Sequence, residues 1–434
     1  MIRILDFDQL APEAFLNRDL RAEEDVSAAV DDILREVRTR GDAALRKFTR
    51  RFDGAEPENL RLTEAEINAA AGMVSPSFLK TLEEAAENIR LFHERQRHNG
   101  FVLTDRPGIV MGQRWTPIER VGICVPRSPE AFPSTILMNV IPAKIAGVSE
   151  IVLVTPPRRD GSVSPEALAA ARLAGADAVF KIGGAQAVAA LAYGTESVPK
   201  VDKIVGPGGI FVATAKRKVF GLVDIDMIAG PSEILVLADG NTSPAWAAAD
   251  LLSQAEHDVL ASAVLVTDSR PLAEAVRGEI EIQLESLPRK EIARTSIENN
   301  GKIIVTGSLD KAVEAVNRIA PEHLELCVDD PFALLPRIKN AGSIFLGRST
   351  PEALGDYFAG PNHTLPTSGT ARFSSPLGVD DFMKRSSFLY YDRAALNRCA
   401  DQIADFARRE GLEGHARSAL SRAEDRYAQR GRPD

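Results

Sequence analysis

Gln254 and His257 stand three residues apart in LLSQAEHDVL, near the end of a helix that Ser243 can cap and Pro244 can open. Both side chains then share one helix face. An amide oxygen and an imidazole nitrogen so placed can grip a cation; a polar helix end is the plain alternative. Asp356 and His363 flank a Gly-rich stretch, and His415 follows the break in EGLEGH. Each of these could equally be a satisfied surface residue. Glu322 and His323 come directly after Pro321, where a helix must end, and before the strand-like LELCV. An adjacent carboxylate and imidazole at such a junction suit a general base and a water-activating group, or else form a loop dyad without function. The remaining histidines in this half of the inventory, His93 and His98 in HERQRH, are five apart rather than the four of a metalloprotease HExxH, and read as a solvated helix face.

Glycines gather at Gly183 and Gly184 in KIGGAQAVAAL and at Gly206, Gly208 and Gly209 in VGPGGIFVATAK. Each group follows an apolar strand and precedes a helix, where backbone can approach a phosphate. Neither is GxGxxG and there is no Walker A motif, so tight turns account for them about as well.

The elements that must position these residues follow from hydrophobic period. Residues 22–52 and 63–98 carry apolar side chains at helical spacing (Val26, Val30, Ile33, Val37; Ile67, Leu79, Leu82, Ile89). Strand-like runs at 121–125, 151–154, 178–182 and 203–205 then alternate with helical stretches such as 165–173 and 185–192. A second block alternates strands near 234–237, 263–266, 302–305 and 343–346 with helices near 244–256, 272–287 and 311–319. Such alternation predicts two α/β domains, each on a mainly parallel sheet. Residues 355–378, GDYFAGPNHTLPTSGTARFSSPLG, have no apolar period, and an unstructured stretch of that length in a compact region is usually functional. A helix near 392–409 and a polar, Arg-rich tail end the chain.

The 434 residues carry a formal net charge of -9, so there is no basic footprint for nucleic acid. No run approaches the ~18 apolar residues of a membrane span, and MIRILDFDQLAPEAF has no signal-peptide core, so the cytoplasm is expected. Cys124, Cys327 and Cys399 form no CxxC pair. A metal here would need N and O ligands.

Taken together, AGPSEILVLAD, LLSQAEH, APEHLEL, AGSIFLG, GDYFAGPNHTLPTSG and EGLEGHA have the order and spacing of the histidinol dehydrogenase family, which the sequence resembles over nearly its whole length. The resemblance implies zinc held by Gln254, His257, Asp356 and His415, with substrate contacts from those four and from Ser232, His323, His363 and Glu410. It implies that His323 takes the alcohol proton and that Glu322 activates water, while NAD accepts hydride in two successive oxidations of L-histidinol to L-histidine through the aldehyde. It further implies a homodimer of two Rossmann-like domains with a helical N-terminal region and a C-terminal helical tail reaching the partner's site. The expected division is a 1–22 arm, a first domain from 23–123 plus 234–378 bearing the metal, a cofactor domain at 124–233, and a tail at 379–434. The sequence departs from the family at the cofactor contacts, which fall on Cys124, Gln186 and Gly209. Cys124, Pro126, Arg127 and Ser128 stand where Tyr and Pro-Gly-Gly are usual, and Gly209 where Asn is usual; Gln186 is retained. The departures imply weaker NAD binding, with Arg127 either pairing phosphate oxygens in part compensation or pointing to solvent in a merely divergent loop. Two rival readings are a paralogue oxidising another small polar alcohol, and a zinc hydrolase that has lost NAD.

Overall fold

The computed structural model describes residues 1–10, 21–126 and 132–423. In chain order, β1 (Arg3–Asp6) precedes helices α1 (Arg21–Arg40), α2 (Asp42–Asp53), α3 (Glu64–Ala71) and α4 (Pro76–His93). Strands β2 (Phe101–Leu103) and β3 (Ile109–Pro117) follow. Then comes a first alternating run: β4 (Arg120–Cys124), α5 (Pro133–Ala146), β5 (Glu150–Val154), α6 (Pro165–Ala174), β6 (Ala178–Phe180), α7 (Gly184–Tyr193), β7 (Lys203–Val205), α8 (Ile210–Val219) and β8 (Asp224–Ile225). A second run contains β9 (Glu233–Ala238), α9 (Pro244–Ala255), β10 (Ser262–Thr267), α10 (Arg270–Leu284), α11 (Lys290–Asn299), β11 (Lys302–Val305), α12 (Leu309–Ile319), β12 (His323–Cys327), α13 (Pro331–Leu334), β13 (Ser343–Leu346) and α14 (Glu352–Tyr357). The chain continues through β14 (Met383–Tyr391), α15 (Arg393–Asn397), α16 (Ala400–Arg409) and α17 (Glu413–Ala423).

Two compact units result: Met1–Arg97 with Ile118–Phe382, and His98–Pro117 with Met383–Asp434. The larger unit holds two all-parallel sheets, β6-β5-β4-β7-β8 and β1-β11-β10-β9-β12-β13. The chain winds through both in the same way. The first strand of each run, β4 or β9, is central; the next two lie to one side and the last two to the other. Helices cover both faces, which is why strands such as EIVLV and EILVLA read as unbroken apolar runs.

The helices of the N-terminal quarter pack on the five-stranded sheet. Val30, Ile33 and Leu45 share a buried cluster with Val152 and Phe180, and Leu82 and Ile89 share another with Ile136 and Leu168. The expected division set 23–123 with the 234–378 sheet instead; a helical stripe shows that a face is buried, not which sheet covers it. Within the expected 1–22 arm, β1 pairs in parallel with β11 (Arg3↔Lys302) and adds an edge strand, too short for period to reveal.

The smaller unit is an antiparallel sheet, β14-β3-β2, with β14 paired to β3 from Met383↔Pro117 to Tyr391↔Ile109. Ala404, Ala407, Ala416 and Leu420 pack together between its helices. The single helix expected at 392–409 is broken into α15 and α16, and α17 follows it.

Candidate active site

The site is built at the amino ends of β9 and β12. Pro321 closes the preceding segment, and the pairing of His323 with Ile234 holds Glu322 and His323 beside Glu233, the first residue of β9. His323 Nδ1 lies 2.9 Å from the Glu233 carbonyl oxygen, an acceptor only, so Nδ1 carries the proton and donates. The Glu233 N–H in turn donates to Glu322 Oε2 at 2.8 Å. Both backbone groups of Glu233 thereby fix Glu322 and His323. His323 Nε2 is left without a hydrogen-bond partner, 3.6 Å from Asp356 Oδ1 and 3.8 Å from Glu352 Oε1. Burial would depress the His323 pKa, but the Glu322 and Asp356 carboxylates beside it raise it well above the usual imidazole value.

Helix α14 supplies Glu352 and Asp356, one turn apart and so on one face. Burial and the Asp356 charge push Glu352 up to about 8. Burial alone would raise Asp356 as well, but the imidazoles of His323 and His363 hold it below the usual carboxylate range. Helix α9 contributes Gln254, which is 1% exposed and borders Glu352, yet neither of its amide atoms makes a hydrogen bond. Pro244 opens α9 as expected, although the Ser243 side chain makes no capping bond. His363 Nδ1 donates to the Asp356 carbonyl at 3.0 Å. The loop carrying it is anchored to α5 through Asn362 Nδ2 on the Met138 carbonyl (2.6 Å) and Asn139 Nδ2 on Thr364 Oγ1 (3.2 Å). A cavity of about 120 Å³ opens beside His323, lined also by Phe345, Leu354, Asp356, His363 and Leu365.

These donors fit a divalent cation. An unpaired amide and an unpaired imidazole nitrogen, both buried, stand among Glu322, Glu352 and Asp356. The nitrogen and oxygen set suits zinc.

Of the residues singled out from the sequence, Glu322, His323, Gln254, Asp356 and His363 come together. Ser232 is half-buried beside Glu233, its carbonyl accepting the Ser262 N–H at 2.9 Å. His257 is exposed just past α9, and Glu410 and His415 are exposed in the smaller unit. His93, expected on a solvated face, is instead buried, with Nδ1 2.8 Å from Gln96 Oε1; His98 is exposed and stacks on Trp115. His93 extends the buried stripe of Leu82, Ala85, Ala86 and Ile89 on α4, which charge-rich HERQRH does not disclose. Glu352 was not singled out, although PEALGD places it four residues before Asp356; a lone Glu at a helix start ordinarily reads as solvated.

Cys124, Gln186 and Gly209 lie at the carboxyl ends of the five-stranded sheet or the helix starts that follow them. Chain order reverses between β4 and β7, and a sheet wound this way leaves a crevice for a dinucleotide at that point. Cys124 is 4% exposed in the core, and burial pushes its thiol up to about 12. Gln186 is buried in the first turn of α7, and Gly209 is the exposed N-cap of α8. Arg127 and Ser128 lie outside the described residues. Gly206 turns at φ +102°, where an added Cβ would come within 2.3 Å of the Cys124 carbonyl, while Gly209 has open space. Gly206→Ala should therefore cost about 2–3 kcal/mol, and Gly209→Ala less than about 1 kcal/mol. Urea unfolding of both variants checks this; equal losses would refute it.

The equivalent reversal in the six-stranded sheet, between β9 and β12, is filled. Arg348 pairs with Asp239 after β9 and with Asp329 after β12 (2.8 Å), and its Nε donates to Thr242 Oγ1 at 3.1 Å. This sheet therefore offers its amino end to chemistry.

A family model described as histidinol dehydrogenase matches residues 16–423. The histidinol dehydrogenase of Listeria monocytogenes serotype 4b (strain F2365) is 54% identical over 396 residues, covering 91% of this chain and 92% of that protein. That of Geobacter sulfurreducens is 56% identical over 397 residues, with shares of 91% and 92%. The crystal structure of histidinol dehydrogenase from Elizabethkingia anophelis superposes with a TM-score of 0.87 at 35% identity, covering 94% of this chain and 98% of that one.

Proposed function

The chain belongs to the histidinol dehydrogenase family, and from that premise we propose that it oxidises L-histidinol to L-histidine in two NAD-linked steps at a zinc site held by Gln254, His257, Asp356 and His415. The observation that carries the reading is the buried pair Glu322–His323 facing unpaired Gln254. Bound zinc would supply positive charge to orient the substrate's imidazole and amine, and NAD would accept hydride in each step. His323 Nε2, kept basic by the Nδ1 bond to Glu233, takes the alcohol proton. Glu322 takes a proton from the water that hydrates the aldehyde. His363, Ser232 and Glu410 contact the substrate's polar ends. NAD would be held at the β4–β7 reversal, with Gln186 and Gly209 as the residues to contact it. Since the Cys124 side chain is packed in the core, any contact from that position comes from its backbone. In this family role the enzyme works in the cytoplasm; no helix among the described residues is long and apolar enough to cross a membrane.

Purified protein given limiting L-histidinol and excess NAD should form two NADH per histidinol. One NADH would refute the two-step course, and none would refute the function.

The protein acts as a homodimer with shared sites. Supporting this, His257 and His415 are both exposed, whereas Gln254 is enclosed. A heterodimer of His257→Ala and His415→Ala subunits then keeps one of its two sites intact and should show about half of wild-type activity. Verified heterodimers without activity would place each site within one chain.

A further inference from the structure

Glu325 lies two residues along β12 from His323, on the same face of the strand, and is fully buried. Its Oε1 accepts the N–H of Glu352, the first residue of α14, at 2.7 Å. Its carboxyl also lies beside that of Asp250 on α9, a carboxylate oxygen of each within 4.8 Å of the other. Each of these three residues stands one structural repeat from a residue of the site. His323 is two before Glu325 on the strand, Gln254 four after Asp250 on its helix, and Asp356 four after Glu352 on its own. Ser253 Oγ adds a bond from α9 to Glu352 Oε2 at 3.3 Å.

We propose that Asp250 and Glu325 form a positioning pair that ties α9, β12 and α14 together and so sets the spacing of Gln254, His323 and Asp356. The inference rests on the reading that Gln254 and Asp356 hold the metal. Two adjacent carboxyl groups in a buried space cannot both ionise. Burial and the Asp250 charge push Glu325 up to about 9, and burial raises Asp250, so the pair keeps one proton between its oxygens. One carboxyl then donates to the other, while Glu325 still accepts from Glu352. An apolar pair of equal volume would fill the space without fixing the angle between elements, and groups that orient metal ligands from behind commonly change metal affinity 10- to 100-fold when lost.

The test measures zinc affinity by competition with a chelating dye, together with kcat and KM for histidinol, on the full-length enzyme. Glu325→Ala should weaken zinc binding by about 10- to 100-fold. Glu325→Gln and Asp250→Asn each retain a donor–acceptor link, the charge of the pair and the bond to Glu352, and should stay within about threefold of wild type. Leu326→Ala removes a buried side chain from the opposite face of the strand, so it should lower stability and leave zinc affinity unchanged. The proposal is overturned if Glu325→Ala binds zinc as wild type does, if the amide variants lose as much as alanine, or if Leu326→Ala weakens zinc equally. Should Glu325→Ala not fold, Asp250→Ala takes its place with the same expectation. Wild-type protein that binds no zinc would refute the metal reading alone; the contrast between alanine and amide variants in kcat would still decide the positioning role.

Discussion

Glutamine in place of Glu322 is expected to slow oxidation of histidinaldehyde by about 10²- to 10⁴-fold, while oxidation of histidinol to the aldehyde falls by less than about tenfold. The structure makes the substitution a clean one. Glu322 Oε2 accepts the Glu233 N–H at 2.8 Å, and a glutamine oxygen can accept the same bond, so the backbone that orients His323 stays in place. What is lost is the capacity to take a proton from water, which only the second step requires. His323→Asn should impair both steps, because an asparagine offers no base where Nε2 stands. Single-turnover measurements of NADH formation from each substrate separate the steps. An unchanged aldehyde rate in Glu322→Gln would refute the assigned roles; equal losses in both steps would mean that Glu322 acts through His323 alone.

Stripping the metal is expected to abolish histidinol turnover, a loss of at least about 10³-fold, with activity returning when zinc is restored. The loss should be one of substrate binding above all. Gln254 is enclosed and its amide meets no protein partner, while Asp356 shares its surroundings with Glu352 and Glu322. Without a metal this pocket gathers three carboxyl groups against its imidazoles and leaves the Gln254 amide unpaired. Equilibrium binding of histidinol to the metal-free protein should therefore be weak even when no chemistry is allowed to occur. Full turnover by protein verified metal-free would refute the assignment, and tight histidinol binding with slow turnover would move the metal's role to the chemical step.

Much of this was legible in the sequence, for physical reasons that differ between regions. Strands buried on both faces advertise themselves as apolar runs, so β5, β9, β10 and β11 fall within two residues of where the alternation predicts them. The pair Glu322–His323 was legible because Pro321 marks the junction. Strand β14 was not: nearly all of its residues are exposed, so KRSSFLYY shows no alternation, and its partner β3 lies far away in the chain. The residues behind the site were hidden for the opposite reason. Glu325, Glu352 and Asp250 are acidic side chains turned into the interior, and composition assigns such residues to the surface. Only the three-dimensional meeting of α9, β12 and α14 shows why they are inside. The domain division also lay beyond period, since the stripe on α1 is satisfied by whichever sheet the chain brings to it.

The Arg348 network bears on timing. With the β9–β12 crevice closed by Arg348, Asp239 and Asp329, the β4–β7 reversal is the remaining berth of this kind among the described residues of the larger unit. On the two-step course, the first reduced nucleotide must leave that berth before the second oxidised one can enter. The aldehyde has to wait through this exchange, and whatever retains it cannot travel with the cofactor. On the proposed site its dwell time is therefore set at the other sheet, around His323, Gln254 and Asp356, which nucleotide traffic leaves in place.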